Sequence, residues 1–294
     1  MEARYVLLTA VLIVLCRLWL GRKHRYRATA YYRMTKNPYR LVMEDKGRFG
    51  EYQIYRRLKF CERKGARFLF NCYLPKHDGE TTEVDVIMLH RSGIYVFESK
   101  NYSGRILGRE EDRTWIQFLK NGRKEYFLNP VRQNQSHVMR VKRIVGGQAP
   151  VYSLAVFSDR CTMGKIPLSN PDRCVTAWRG LRRMVRRFSR RQPDALTEEQ
   201  VEAFYDRLYP YTQVSEEEKQ EHIRNLQKSR EKGGILRRIL SWFRRKHAAK
   251  QQCPWCGAPL VLRTVKKGPR RGMSFYGCLA YPACRYTRSF SEHP

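Results

Sequence analysis

Between Glu83 and Asn101 the sequence runs EVDVIMLHRSGIYVFESKN, in which Asp85, Glu98 and Lys100 are of types that hold hard metal ions or steady a reacting phosphate. Asp85 interrupts one apolar, strand-like run, and Glu98 followed by Lys100 closes a second. Carboxylates converging from two strands supply the oxygen ligands that Mg²⁺ or Mn²⁺ takes. A lysine beside them supplies a cation for an attacking water or for developing charge. That is the chemistry of metal-assisted phosphodiester hydrolysis. By itself the pattern is weak, because strand ends often carry solvated charge. A second set, Cys253, Cys256, Cys278 and Cys284, is spaced C-x2-C and C-x5-C with 21 residues between the pairs. Four thiolates on two short loops make a closed tetrahedral Zn²⁺ site, and closed sites are structural. A redox-active first pair would leave the second unexplained.

These groups need elements to position them. Phe49, Tyr52, Tyr55, Leu58 and Cys61 recur at helical spacing and the run ends on Gly65, which predicts a helix over 47–63 with Glu51 in its first turn. ARFLFNCYLP reads as a strand stopped by Pro75, and the two runs of the opening stretch as a hairpin turning at His90 to Gly93. If His90 opposes Gly93, the same register puts Asp85 opposite Glu98, with Cβ atoms about 5 Å apart, and Lys100 on the same side. Like charges so placed call for a cation. A three-residue loop with Gly93 as a bulge shifts the register and separates them. Asn129 and Pro130 open a helix that carries Gln133 in its first turn and ends at Gly146-Gly147. The strands VYSLAVFSD and CVTAW follow it, giving strand, helix, strand and so a parallel crossover. Further helices are expected over 181–190, after Thr197 and after Ser215, and a basic amphipathic one over 235–247.

The order Gly47-x-x-Gly50-Glu51, Glu83-Val84-Asp85, Glu98-Ser99-Lys100-Asn101, Gly104, Trp115 and Asn129-Pro130-x-x-Gln133 resembles the nuclease-related domain, over residues 47–178. That domain is regarded as a branch of the PD-(D/E)xK superfamily. The resemblance implies an α/β, restriction-endonuclease-like mixed sheet flanked by helices, with Glu51, Asp85, Glu98 and Lys100 at the nuclease positions and Gln133 accessory. Asp85, Glu98 and the Ser99 carbonyl would hold Mg²⁺ or Mn²⁺, with Glu51 coordinating directly or through water. Gln133 would steady the nucleophile or a ligand; a first-turn glutamine facing solvent is the plainer reading. Val84 stands where the superfamily's eponymous proline would be. The cysteine module resembles the four-cysteine zinc finger at the C-termini of bacterial type I topoisomerases. This implies contact with DNA, single strands included, through Trp255, Arg263, Lys266, Lys267, Arg270, Arg271, Tyr276 and Tyr281. The ribbon's own small core competes for the same aromatics.

The whole chain fits a polyanion partner. Lysine and arginine number 59 against 27 acids, a net charge of +32 over 294 residues, and acid-free basic runs recur at 17–40, 179–191 and 232–250. Tyr5 to Cys16 is charge-free, and with Leu18, Trp19 and Leu20 it reads as a single tilted span. Its flank GRKHRYR would keep the body cytoplasmic, at an anionic bacterial cell membrane; a signal peptide and a buried helix are the competing readings. The expected organisation is an anchor over 1–21, a basic connector over 22–43, the nuclease-related domain over 44–178, a basic helical linker over 179–250 and the zinc ribbon over 251–294. Two functions compete, a membrane-tethered metal-dependent nuclease acting on DNA and a non-catalytic DNA-binding or scaffold protein. Three clustered acids, which repel phosphate, favour the first. Oligomeric state leaves no trace in the sequence.

Overall fold

The computed structural model describes residues 5, 14, 17, 20–76, 80–147, 149–221, 224–225, 253–256, 258–265, 268–269 and 271–289. They divide into two compact units, Met1–Lys219 and Gln220–Pro294. In the first, a helical stretch over 20–27 leads to short helices α1 (Ala30–Thr35) and α2 (Tyr39–Glu44), then α3 (Lys46–Leu58), whose cap Asp45 accepts from the Arg48 amide. A 3₁₀ turn carries the chain on to Lys64, and Gly65, at φ 78°, ends the segment. Strands β1 (Arg67–Pro75), β2 (Thr81–His90) and β3 (Gly93–Lys100) form an antiparallel meander. A small sheet interrupts: β4 (Gly104–Leu107), β5 (Thr114–Phe118), β6 (Lys124–Leu128). Helix α4 (Pro130–Val145) then crosses back so that β7 (Val151–Phe157) lies parallel to β3. After β8 (Cys161–Met163), which joins the small sheet, β9 (Arg173–Ala177) completes the main order β1-β2-β3-β7-β9.

The main sheet is covered on both faces. One face carries α3 and α5 (Leu181–Ser189) over Phe68, Phe70, Val86, Phe97 and Leu154. The other carries α4 and α6 (Glu198–Leu208) over Leu69, Ile87, Val96 and Val151. β7 is buried at every position, as a parallel strand between two neighbours and two helices must be. This is the mixed α/β architecture expected.

Two expected linkers are parts of this unit. The supposed connector over 22–43 is largely helical, and Tyr26, Tyr31 and Val42 are fully buried in the α3 face. Its tyrosines read as polar, yet their rings pack edge to face, Tyr26 on Tyr52 and Tyr31 on Phe70. Within the supposed linker over 179–250, α5 and α6 bury Leu181, Val185 and Phe188, and Val201, Phe204 and Leu208. The arginines of α5 turn outward from a narrow apolar stripe. Among the described residues no helix is long and apolar enough to cross a membrane. The expected anchor over 1–21 lies almost wholly outside them, as does the basic helix over 235–247. The second unit holds a three-stranded antiparallel sheet, β10 (Leu260–Thr264), β11 (Ser274–Cys278) and β12 (Thr287–Ser289).

Candidate active site

The hairpin takes the first of the two registers weighed above: His90 opposes Gly93, and the ladder runs to Val86 opposite Phe97. There it stops. Asp85 and Glu98 are the next residues, but they do not continue the ladder as the expected cross-strand pair; the Asp85 carboxylate instead accepts the Ser99 amide at 2.6 Å. Glu98, 2% exposed, accepts from Lys100 Nζ at 2.6 Å through Oε1. Lys100 also donates to Gln133 Oε1 at 3.2 Å, so Gln133 turns toward the acids.

The helices deliver the rest. Asn129 caps α4 by accepting from the amides of Val131 and Arg132, while its Nδ2 donates to the carbonyls of Arg109, Glu110 and Asp112. Asn134 pins the next turn to the Val96 carbonyl and Ser153 Oγ. Gln133 and His137, four apart, thereby share the face over Glu98. On the other side α3 lies so close to β3 that a Cβ at Gly50 would overlap Ser99 Oγ. This approach brings in Glu51, buried, whose Oε2 accepts from the Tyr31 hydroxyl at 3.1 Å.

Sequence reasoning missed Tyr31 and three further participants. His137 is buried, with Nε2 3.2 Å from Thr82 Oγ1 and Nδ1 3.4 Å from Glu98 Oε2. Its place four residues after Gln133 on a helix was the available signal. Glu83, noted only as a motif member, accepts from Asn71 Nδ2 and the Tyr73 hydroxyl. Asn71, at φ 52°, is a left-handed residue inside β1, standing where the β1–β2 register faces Asp85. Nothing in the sequence marks it.

The electrostatics are those of crowded acids. Burial, then the neighbouring Glu83, pushes Glu51 up to about 8. Burial, then Glu98 and Glu51, holds Asp85 well above the usual range, against the opposing pull of Lys100 and the Ser99 amide. For Lys100 burial works downward, but Glu98 and Asp85 outweigh it and the ammonium is reinforced. Burial lowers His137, which favours a neutral ring. Among the described residues Glu98 Oε2 is buried with no hydrogen bond made to it, His137 Nδ1 lying 3.4 Å away, so an oxygen is available as a ligand. The donor set of Glu51, Asp85 and Glu98 thus fits a hard divalent ion in chemistry. In position it is looser: among the described residues only the four cysteines bring three or more ligand atoms within 4.8 Å of one another.

Those cysteines fit zinc closely. Cys253 and Cys284 sulfurs lie 3.6 Å apart and Cys256 and Cys278 sulfurs 3.4 Å, near the roughly 3.8 Å edge of a tetrahedron with Zn–S of about 2.3 Å. Around them Trp255 is 72% exposed with its ring edge-on to Tyr286, and exposed Tyr281 lies under the Arg263 guanidinium. Tyr276 packs partly into the cysteine core, and Arg271 is exposed. Lys266, Lys267 and Arg270 lie outside the described residues.

Comparison with known proteins finds the nuclease-related domain over residues 46–158 and the topoisomerase DNA binding C4 zinc finger over 250–293. An uncharacterised protein of Bacillus anthracis is 26% identical over 181 residues, 62% of this chain and 84% of its own length. Shorter stretches match uncharacterised proteins of Haemophilus influenzae, 51% identical over 51 residues, and Escherichia coli, 53% over 38. These cover 16% and 13% of this chain, and 26% and 18% of theirs. No solved structure matches.

Proposed function

We propose that this chain, which carries a nuclease-related domain and a topoisomerase-type C4 zinc finger, is a divalent-metal-dependent nuclease acting on DNA. The observation that carries the reading is the buried Glu98–Lys100–Gln133 contact beside Asp85, at the end of a central strand of a mixed, helix-flanked sheet. Asp85, Glu98 and Glu51 would hold Mg²⁺ or Mn²⁺, which when bound polarises the scissile phosphate and acidifies a water. Lys100, fixed by Glu98 and Gln133, presents a permanent positive charge where the phosphorane gains negative charge. Gln133 holds that ammonium in line, and His137 supports the far side of Glu98. The zinc ribbon supplies affinity for DNA, single strands included, through Trp255 and Tyr281 with nearby arginines. The apolar run Tyr5 to Cys16 and its basic flank support a single-pass tether in a bacterial cell membrane, with the body on the cytoplasmic side.

The competing reading is a non-catalytic DNA binder with a vestigial site. What favours it is that Asp85, Glu98 and Glu51 are each engaged by a protein donor. Cleavage of labelled DNA by the full chain with Mg²⁺ or Mn²⁺ separates the two. Wild type should turn over, and Lys100→Ala and Asp85→Ala should each lose about 100-fold or more while DNA binding persists. If wild type binds every DNA and RNA form and cleaves none, the binder reading stands.

A further inference from the structure

Lys100, Phe157 and Ala177 stand in one row across β3, β7 and β9, so the three parallel strands end on a common rim. Strand spacing places Ala177 about 10 Å from Lys100 along that rim. The chain leaving each strand there brings basic groups. Arg160, after β7, donates to the Asn101 side chain and carbonyl just beyond Lys100. Between the end of β8 and the start of α5 lies a cleft of about 620 Å³, lined by Lys165, Thr176, Arg179, Gly180 and Arg183.

The charges of this cleft are uncommitted. Neighbouring arginines are paired, Arg57 with Asp159, Arg173 with Glu110 and Arg191 with Asp172, whereas Lys165, Arg179 and Arg183 have no carboxylate within 4.0 Å among the described residues. The acid on the rim, Asp159, is consumed by Arg57 and by the Arg179 amide, which it accepts at 2.7 Å. Gly180 lets the chain cross tightly over Thr176, where a Cβ would overlap the hydroxyl. Helix α5 then starts without a side-chain cap, leaving the positive end of its dipole toward this rim. Crevices at the carboxyl ends of parallel strands are where open α/β sheets receive ligands.

We propose that this cleft, lined by Lys165, Arg179 and Arg183, holds the phosphate backbone of the nucleic-acid strand that passes through the Glu98–Lys100 site. The proposal rests on the nuclease reading for the identity of the polyanion. A concave cleft on the rim where β3, β7 and β9 end, the rim that carries Lys100, suits a strand; an anionic lipid surface would be met by a flat or convex face.

The test is fluorescence anisotropy of labelled single- and double-stranded oligonucleotides on the full chain, without divalent ion, across a salt series. Arg179→Ala/Arg183→Ala should weaken binding about tenfold near 0.1 M salt and flatten the log–log salt slope by about 1.4 to 1.8, two phosphate contacts' worth. Arg186→Ala/Arg190→Ala removes the same charge from the far end of α5 and its C-cap, and should change the slope by less than half as much. Equal effects from the two pairs, or none from the first at unchanged thermal stability, overturn the proposal. So does a first pair that keeps oligonucleotide binding but loses sedimentation with anionic vesicles. Wild type that fails to cleave, with the slope difference intact, sinks the nuclease reading alone. Unchanged binding in the first pair with cleavage retained sinks the cleft alone.

Discussion

Glu51 is a residue whose charge the fold decides. Its carboxyl is moved from the usual 4.5 to about 8, so the folded chain holds a proton there that the unfolded chain releases. That stabilisation is complete below about pH 4, declines as pH rises, and is gone above about pH 8. Without divalent ion, the melting temperature of wild type should therefore fall between pH 5 and 8.5, and Glu51→Gln, which still accepts from Tyr31, should flatten the fall. Superimposable pH profiles for the two proteins would show that another group governs it. Glu51, Asp85, Glu98 and Lys100 were legible together because the order of motifs resembles that of the nuclease-related domain, residue type and spacing alone being a weak signal. His137, Asn71 and Tyr31 were not, because each reaches the site only through tertiary packing: a helix laid over β3, a left-handed residue inside a strand, a tyrosine in a supposed linker.

At the level of elements, the site depends on how closely α3 approaches β3. Gly50→Ala sets a methyl against Ser99 Oγ and should cost about 1–3 kcal/mol in urea unfolding. Adding Ser99→Gly should recover part of that loss, a coupling that a merely helical effect of the alanine would not show. The β2–β3 register was narrowed to two pairings and no further, because Ile87 to Leu89 and Ile94 to Phe97 are apolar at every position and offer no alternation to choose between them; the structure takes the two-residue turn. That the ladder ends before Asp85 was not readable, since nothing local marks the Asp85 carboxylate as the acceptor of the Ser99 amide. The linkers were misjudged for a related reason. A stripe such as Leu181, Val185 and Phe188 is three residues among many arginines, and composition averages it away.

For the whole molecule, the two units have separate cores, and only the smaller is built on cysteine. Strong chelation should unfold residues 253–289 and leave the thermal transition of the main sheet in place. Thiol titration reads this directly: Cys253, Cys256, Cys278 and Cys284 should become reactive on chelation, while buried Cys61, Cys72, Cys161 and Cys174 stay slow until the sheet unfolds. A main-sheet transition that shifts with chelation would contradict it.

The site strand β3 has a neighbour of each kind, β2 across a two-residue turn and β7 only after residues 101–150 have been traversed. A hairpin closes in about 1–10 μs, whereas a parallel crossover must first bring distant segments together. During synthesis Asp85, Glu98 and Lys100 therefore meet in water, as ordinary solvated charges, before α4 exists. Helix α4, which carries Gln133 and His137, arrives later and covers Glu98, and a ribosome-bound chain that stops short of residue 130 holds the acids of the site without that cover.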